Sequence, residues 1–176
     1  MTSRNGLRLY NVLFPLWMLL LFPPALLVIL PGNFLIDSLV LLLALRFLRV
    51  EDRRGIYRKS ILKVFCFGFL SDLIGSLLLL VSVAVDTDLQ TPFGSWWYEN
   101  LTNAVPFNPF ENIFAFVYVC LAVLLSGACI YFCNLFFSFR RTDLPLPVRR
   151  RLSLALTLFT SPYLFLFPSE ILYRGF

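Results

Sequence analysis

The sequence predicts an all-α fold: a polytopic integral membrane protein, a five-helix transmembrane bundle with its N-terminus inside and its C-terminus outside. Composition is the first reason. Of 176 residues, 59% are hydrophobic and 14% charged, with a mean hydropathy of +0.81; soluble domains hold roughly 45–50% apolar and about 25% charged residues. A soluble core of this length would leave long apolar runs uncovered. The second reason is that apolar residues gather into five runs. The third is that basic residues gather at alternate connections between those runs.

The first run, residues 9–30, reads LYNVLFPLWMLLLFPPALLVIL, with prolines at 15, 23 and 24. It follows Arg4 and Arg8 and shows no A-x-A cleavage pattern, so it reads as an uncleaved signal anchor. A tight PGN hairpin at 31–33 leads into the second run, 34–48, which carries Asp37. The third run is 61–85, the fourth 109–139 and the fifth 152–167. Some 20 residues cross a hydrocarbon layer of about 30 Å. The second and fifth runs are therefore short and the fourth long, a mismatch that snorkelling, thinning and tilt absorb. The whole chain, 1–176, reads as a single transmembrane domain.

Orientation comes from charge. Arg46, Arg49, Arg53, Arg54, Arg58, Lys59 and Lys63 surround the connection between the second and third runs. Arg140, Arg141, Arg149, Arg150 and Arg151 fill the one between the fourth and fifth. With Arg4 and Arg8, all of the 15 basic residues except Arg174 fall on one side, which the positive-inside rule makes cytoplasmic. The net charge of +5 is thus a topology signal and predicts no nucleic-acid partner. The expected partners are the lipid bilayer and anionic headgroups on its inner face, each arginine near the surface contributing about 1 kcal/mol. The expected location is the plasma (inner) membrane, multi-pass.

On the other side lies the one sizeable extramembrane segment, 86–108, with Trp96, Trp97 and Tyr98 at its centre. Such aromatics favour the headgroup level, so the segment reads as interfacial, with a partner-docking surface as the alternative. Asn108 as N-cap, Pro109 at N1 and Glu111 at N3 predict a capping-box start for the fourth helix.

The chain contains no histidine, which removes the commonest general base and metal ligand. Cys66, Cys120, Cys129 and Cys133 form no CxxC and sit inside apolar runs, so they read as packing residues. No metal site and no cofactor is expected. HExxH, GxSxG and P-loop patterns are all missing from the sequence, so the chain reads as non-enzymatic.

One residue stands out. Asp72 lies deep in the third run, where a charge at the bilayer centre costs about 2.5–3.5 kcal/mol. It should face other helices or water. Gly68, Ser71, Gly75 and Ser76 share its helical face, a small-residue stripe that lets another backbone approach. Counting rise from each run's end places Ser126, Gly127, Thr160, Ser161 and Tyr163 at similar depth, with Trp17 from the first run. Pro162 should leave the Leu158 carbonyl without its usual donor. Asp37 reads as lying one turn below the outer surface, on the order of 14 Å from Asp72 along the normal, too far to share a proton. A second small stripe, Ala115, Ala122, Ser126, Cys129 and Cys133, faces either the bundle or a second protein, leaving a protein partner or homo-oligomer open.

The stretch GFLSDLIGS, residues 68–76, resembles a short segment of the substrate-binding membrane subunits of vitamin-type energy-coupling transporters. Those subunits usually have one helix more than the five runs read here, and small-residue pairs on their first helix. No residue roles carry over. The functional expectation is a non-enzymatic membrane component or subunit assisting small-solute or ion transport. The alternative is a stand-alone proton- or cation-coupled transporter, or a substrate-binding transporter subunit, using Asp72 at the midplane.

Overall fold

In a computed structural model, residues 16–169 and 171 are described. Their regular structure is all helical, with no strand among them. The main helices are α1 (Pro23–Phe47), α2 (Arg53–Ala84), α5 (Ile113–Cys133) and α6 (Leu146–Thr160), with two short helices, α3 (Pro92–Trp97) and α4 (Ala104–Phe107), between α2 and α5. Three helices are long and apolar enough to cross a membrane: Pro23–Phe47, Arg53–Ala84 and Ile113–Ser138.

The largest departure from the sequence reading is at residues 31–33. Pro31, Gly32 and Asn33 do not turn the chain; they lie inside the continuous helix α1, which absorbs the end of the first apolar run and nearly all of the second. Pro23 and Pro24 sit in its first turn, where a missing N–H breaks no bond. Pro31 forgoes only one backbone bond, and the flanking apolar residues let the helix continue. A 3-10 turn, Leu16–Leu21, precedes α1 and packs Trp17 against Leu79, Leu101 and Val105, at the end of the bundle that carries segment 86–108. The N-terminal part of the first run, with Arg4 and Arg8, lies outside the described residues.

α1 ends in a Schellman motif: Val50 N–H donates to the Leu45 carbonyl (3.1 Å) and Arg49 N–H to Arg46 (3.1 Å), with Arg49 at φ 53°. Asp52 then caps α2 by accepting from Gly55 N–H at 2.9 Å. α2 begins before the apolar run 61–85, and its 32 residues span about 48 Å. Its first turns carry Arg53, Arg54, Arg58, Lys59 and Lys63 beyond an apolar layer of about 30 Å.

Segment 86–108 folds into helical turns on the end of the bundle. Trp97 Nε1 and the Thr102 hydroxyl both donate to the Ser82 carbonyl (3.3 and 2.9 Å). Asn108 accepts from Phe110 N–H and bonds Glu111, but these residues form a separate 3-10 turn. The cap of α5 is Asn112, which accepts from Phe114 N–H at 2.8 Å. The sequence NPFEN offers two asparagines, and the one nearer the helix caps it. α5 continues through a π-helical turn, Asn134–Ser138, so this span matches the fourth run closely.

The four long elements form a ring in which α1 packs on α2, α2 on α5, α5 on α6 and α6 on α1. Leu41, Leu45, Val64, Phe139, Leu152 and Leu156 fill the ring at the basic end. α6 is incomplete. Its 15 residues cover about 22 Å, and Pro162 holds Ser161 extended, ending the helix at Thr160. A 3-10 turn, Tyr163–Leu166, follows. Beyond Thr160 the ring therefore lacks one wall of helix.

A candidate solute site at the broken end of α6

The gap left by α6 is a cavity of about 720 Å³ between α1, α2 and the chain after Thr160. Asp37, Gly68, Asp72, Thr160 and Ser161 all line it. Ser126, Ser71, Gly75 and Ser76 are not brought to it. They form the α2–α5 seam beside it, where the Ser126 hydroxyl donates to the Ser71 carbonyl at 3.0 Å. A methyl group on Gly75 would collide with Ser126 Oγ and come within 2.8 Å of Phe165. Small residues are what let these helices meet. Of the second stripe, Ala115, Ala122 and Ser126 are buried while Cys129 and Cys133 are partly exposed, and all four cysteines are free thiols.

The two acids are neighbours, not 14 Å apart. A methyl group on Gly68 would lie 3.3 Å from Asp37 Oδ2, and Gly68 is one helical turn from Asp72. The cause is the continuity of α1. Asp37 lies 14 residues beyond Pro23, about 21 Å along the helix, and Asp72 lies 12 residues before Ala84, about 18 Å from that end of α2. Treating 31–33 as a hairpin placed Asp37 too shallow.

The carboxyls differ in their surroundings. Asp37 lies beside the Thr160 side chain, where α1 meets the end of α6. Asp72 is 8% exposed, and its Oδ1 has no partner among the described residues. Trp17, 3% exposed, also lines the cavity, and its Nε1 is likewise unpartnered. The other hydroxyls are occupied: Thr160 donates to Leu156 O (2.8 Å) and Ser161 to Thr157 O (2.6 Å). The Leu158 carbonyl, expected to lose its donor to Pro162, receives the Tyr163 hydroxyl at 2.9 Å.

Asn33 and Gly32 also line the cavity, which the sequence reading missed because it assigned them to a turn. It also passed over Asn134 Oδ1, Ser138 Oγ and Ser153 Oγ, three buried unpartnered oxygens toward the basic end. Their cue was modest: polar residues near the end of one apolar run and the start of another. Trp96 and Tyr98 stand on the surface of segment 86–108, Trp96 edge-on to Phe114 at 5.1 Å, and neither lines the cavity. No group of three or more potential metal ligands occurs among the described residues. No family model, no curated protein and no solved structure matches the chain.

Proposed function

We propose that this is a non-enzymatic, multi-pass component of a plasma (inner) membrane that takes a small solute or ion into the cavity beside Asp72, carrying it alone or as a transporter subunit. The observation that carries the reading is the bare Oδ1 of Asp72. Burying an oxygen without a partner costs stability, which a ligand or water recovers. Its place fits too. Polar groups at an interrupted helix, inside the bilayer, are where transported ions and solutes are held. The basic flanks of α2 and α6 support an orientation with residues 48–52 and 139–145 cytoplasmic.

Because both acids share one cavity, their separation no longer argues against an acid–base pair. The non-enzymatic reading rests instead on the lack of histidine and on the occupied hydroxyls of Thr160 and Ser161, which are bonded to their own helix.

Liposomes holding the purified protein test this under an imposed membrane potential. Wild type should carry a proton flux, and Asp72→Asn should abolish it while keeping native circular dichroism and elution volume. A subunit would instead be silent alone and return a stoichiometric partner from native membranes. Unchanged flux in Asp72→Asn, with unfolding only in Asp72→Leu, would make the acid structural and end the proposal.

A further inference from the structure

We infer that the occupant of this cavity is an amphiphilic organic cation, a protonated amine on an apolar body, arriving from within the lipid layer. The inference rests on the solute-site reading above and adds the ligand's chemistry. Charge is the first argument. Among the described residues, two carboxyls line the cavity and no lysine or arginine does. The C-terminal end of α6, with its partial negative charge, is at the same place. An ammonium group in the cavity would pair with the Asp72 carboxyl, which lines it and whose Oδ1 has no partner among the described residues.

Size and lining decide against a bare metal ion. About 720 Å³ suits an organic molecule of moderate size. A hard cation wants six or more oxygens around it, whereas the lining offers two carboxyls and a few hydroxyls among mostly apolar side chains. The walls are aromatic instead: Trp17, Phe69, Phe110, Phe159 and Phe165. Such rings pack against an apolar body and take a cation over their faces.

The route follows from exposure. Ile36, Phe159 and Leu164 line the cavity and also stand exposed on the bundle's side, on helices whose outer faces are apolar. An opening bordered by such residues admits molecules already dissolved among lipid chains.

Three probes of one shape make the test: 3-phenylpropylamine, 3-phenylpropan-1-ol and 3-phenylpropionate, titrated into the full chain in detergent with binding read by calorimetry. The amine should bind at least about tenfold tighter than the alcohol, as a charge-assisted contact implies, with the carboxylate weakest. Asp72→Asn should reduce the amine to the affinity of the alcohol and leave the alcohol unchanged, which also reports an intact cavity. Equal affinity for amine and alcohol in wild type, or a preference that survives Asp72→Asn, overturns the inference. An ion flux that still depends on Asp72, without amine preference, removes the ligand class and leaves the transport reading standing. Indifference of both flux and amine binding to Asp72→Asn removes both.

Discussion

One added methyl group separates the packed side of α2 from the open side of α1. At Gly75 a Cβ would meet Ser126 Oγ, Phe165 at 2.8 Å and the Ala122 carbonyl at 3.2 Å, so α2 and α5 would have to part. Gly75→Ala should lower stability by about 1–3 kcal/mol, read as a fall in thermal midpoint. At Gly32 nothing lies within 4 Å of the same position, and the residue is inside a helix. Gly32→Ala should therefore raise the midpoint, by about 0.5–1 kcal/mol of helix preference. These residues also show what could be read in advance. Gly75 belongs to a stripe at helical spacing that includes Ser71 and Ser76, and that spacing alone announces a packing face. Gly32 sits between Pro31 and Asn33, a grouping that signals a turn in water. It becomes helix here because an apolar surrounding makes unbonded backbone more costly than an imperfect helix.

At the scale of elements, the ends of helices hold the informative details. Arg49 occupies the left-handed position of the Schellman motif that closes α1, where glycine is usual. Arg49→Gly should stabilise the protein by up to about 1 kcal/mol, relieving the steric cost of a side chain at φ 53°. A midpoint that falls would show that the Arg49 side chain contributes more than its backbone costs. The end of α6 offers the reverse case. Tyr163→Phe deletes the hydroxyl that caps the Leu158 carbonyl and should lower stability by about 0.5–1.5 kcal/mol, with the loss larger in lipid than in detergent that admits water. Pro162 marks where α6 ends plainly in the sequence. That its end opens a cavity, and that a tyrosine one residue later repairs the carbonyl, depends on how the chain after Thr160 folds back.

For the whole molecule, the ring α1–α2–α5–α6 puts residues 48–52 and 139–145 at one end and segment 86–108 at the other. Single cysteines at Gln90 and Arg54, both exposed, introduced after the four native cysteines are replaced by alanine, test the orientation. In intact cells an impermeant thiol reagent should label Gln90→Cys, and should reach Arg54→Cys only after permeabilisation; the opposite pattern would invert the proposed topology. Composition and the placement of arginine and lysine determined the helical class, the apolar character of the long helices and the grouping of charge, because the low dielectric of lipid penalises each exposed polar group wherever the chain goes. Only the tertiary structure decided that residues 31–33 continue a helix, that Asp37 descends to the level of Asp72, and that the missing half of α6 leaves them a common space. The reason is that depth is cumulative along a helix. One misread turn shifts every residue after it, and contacts between distant segments are set by that shift and not by any local pattern.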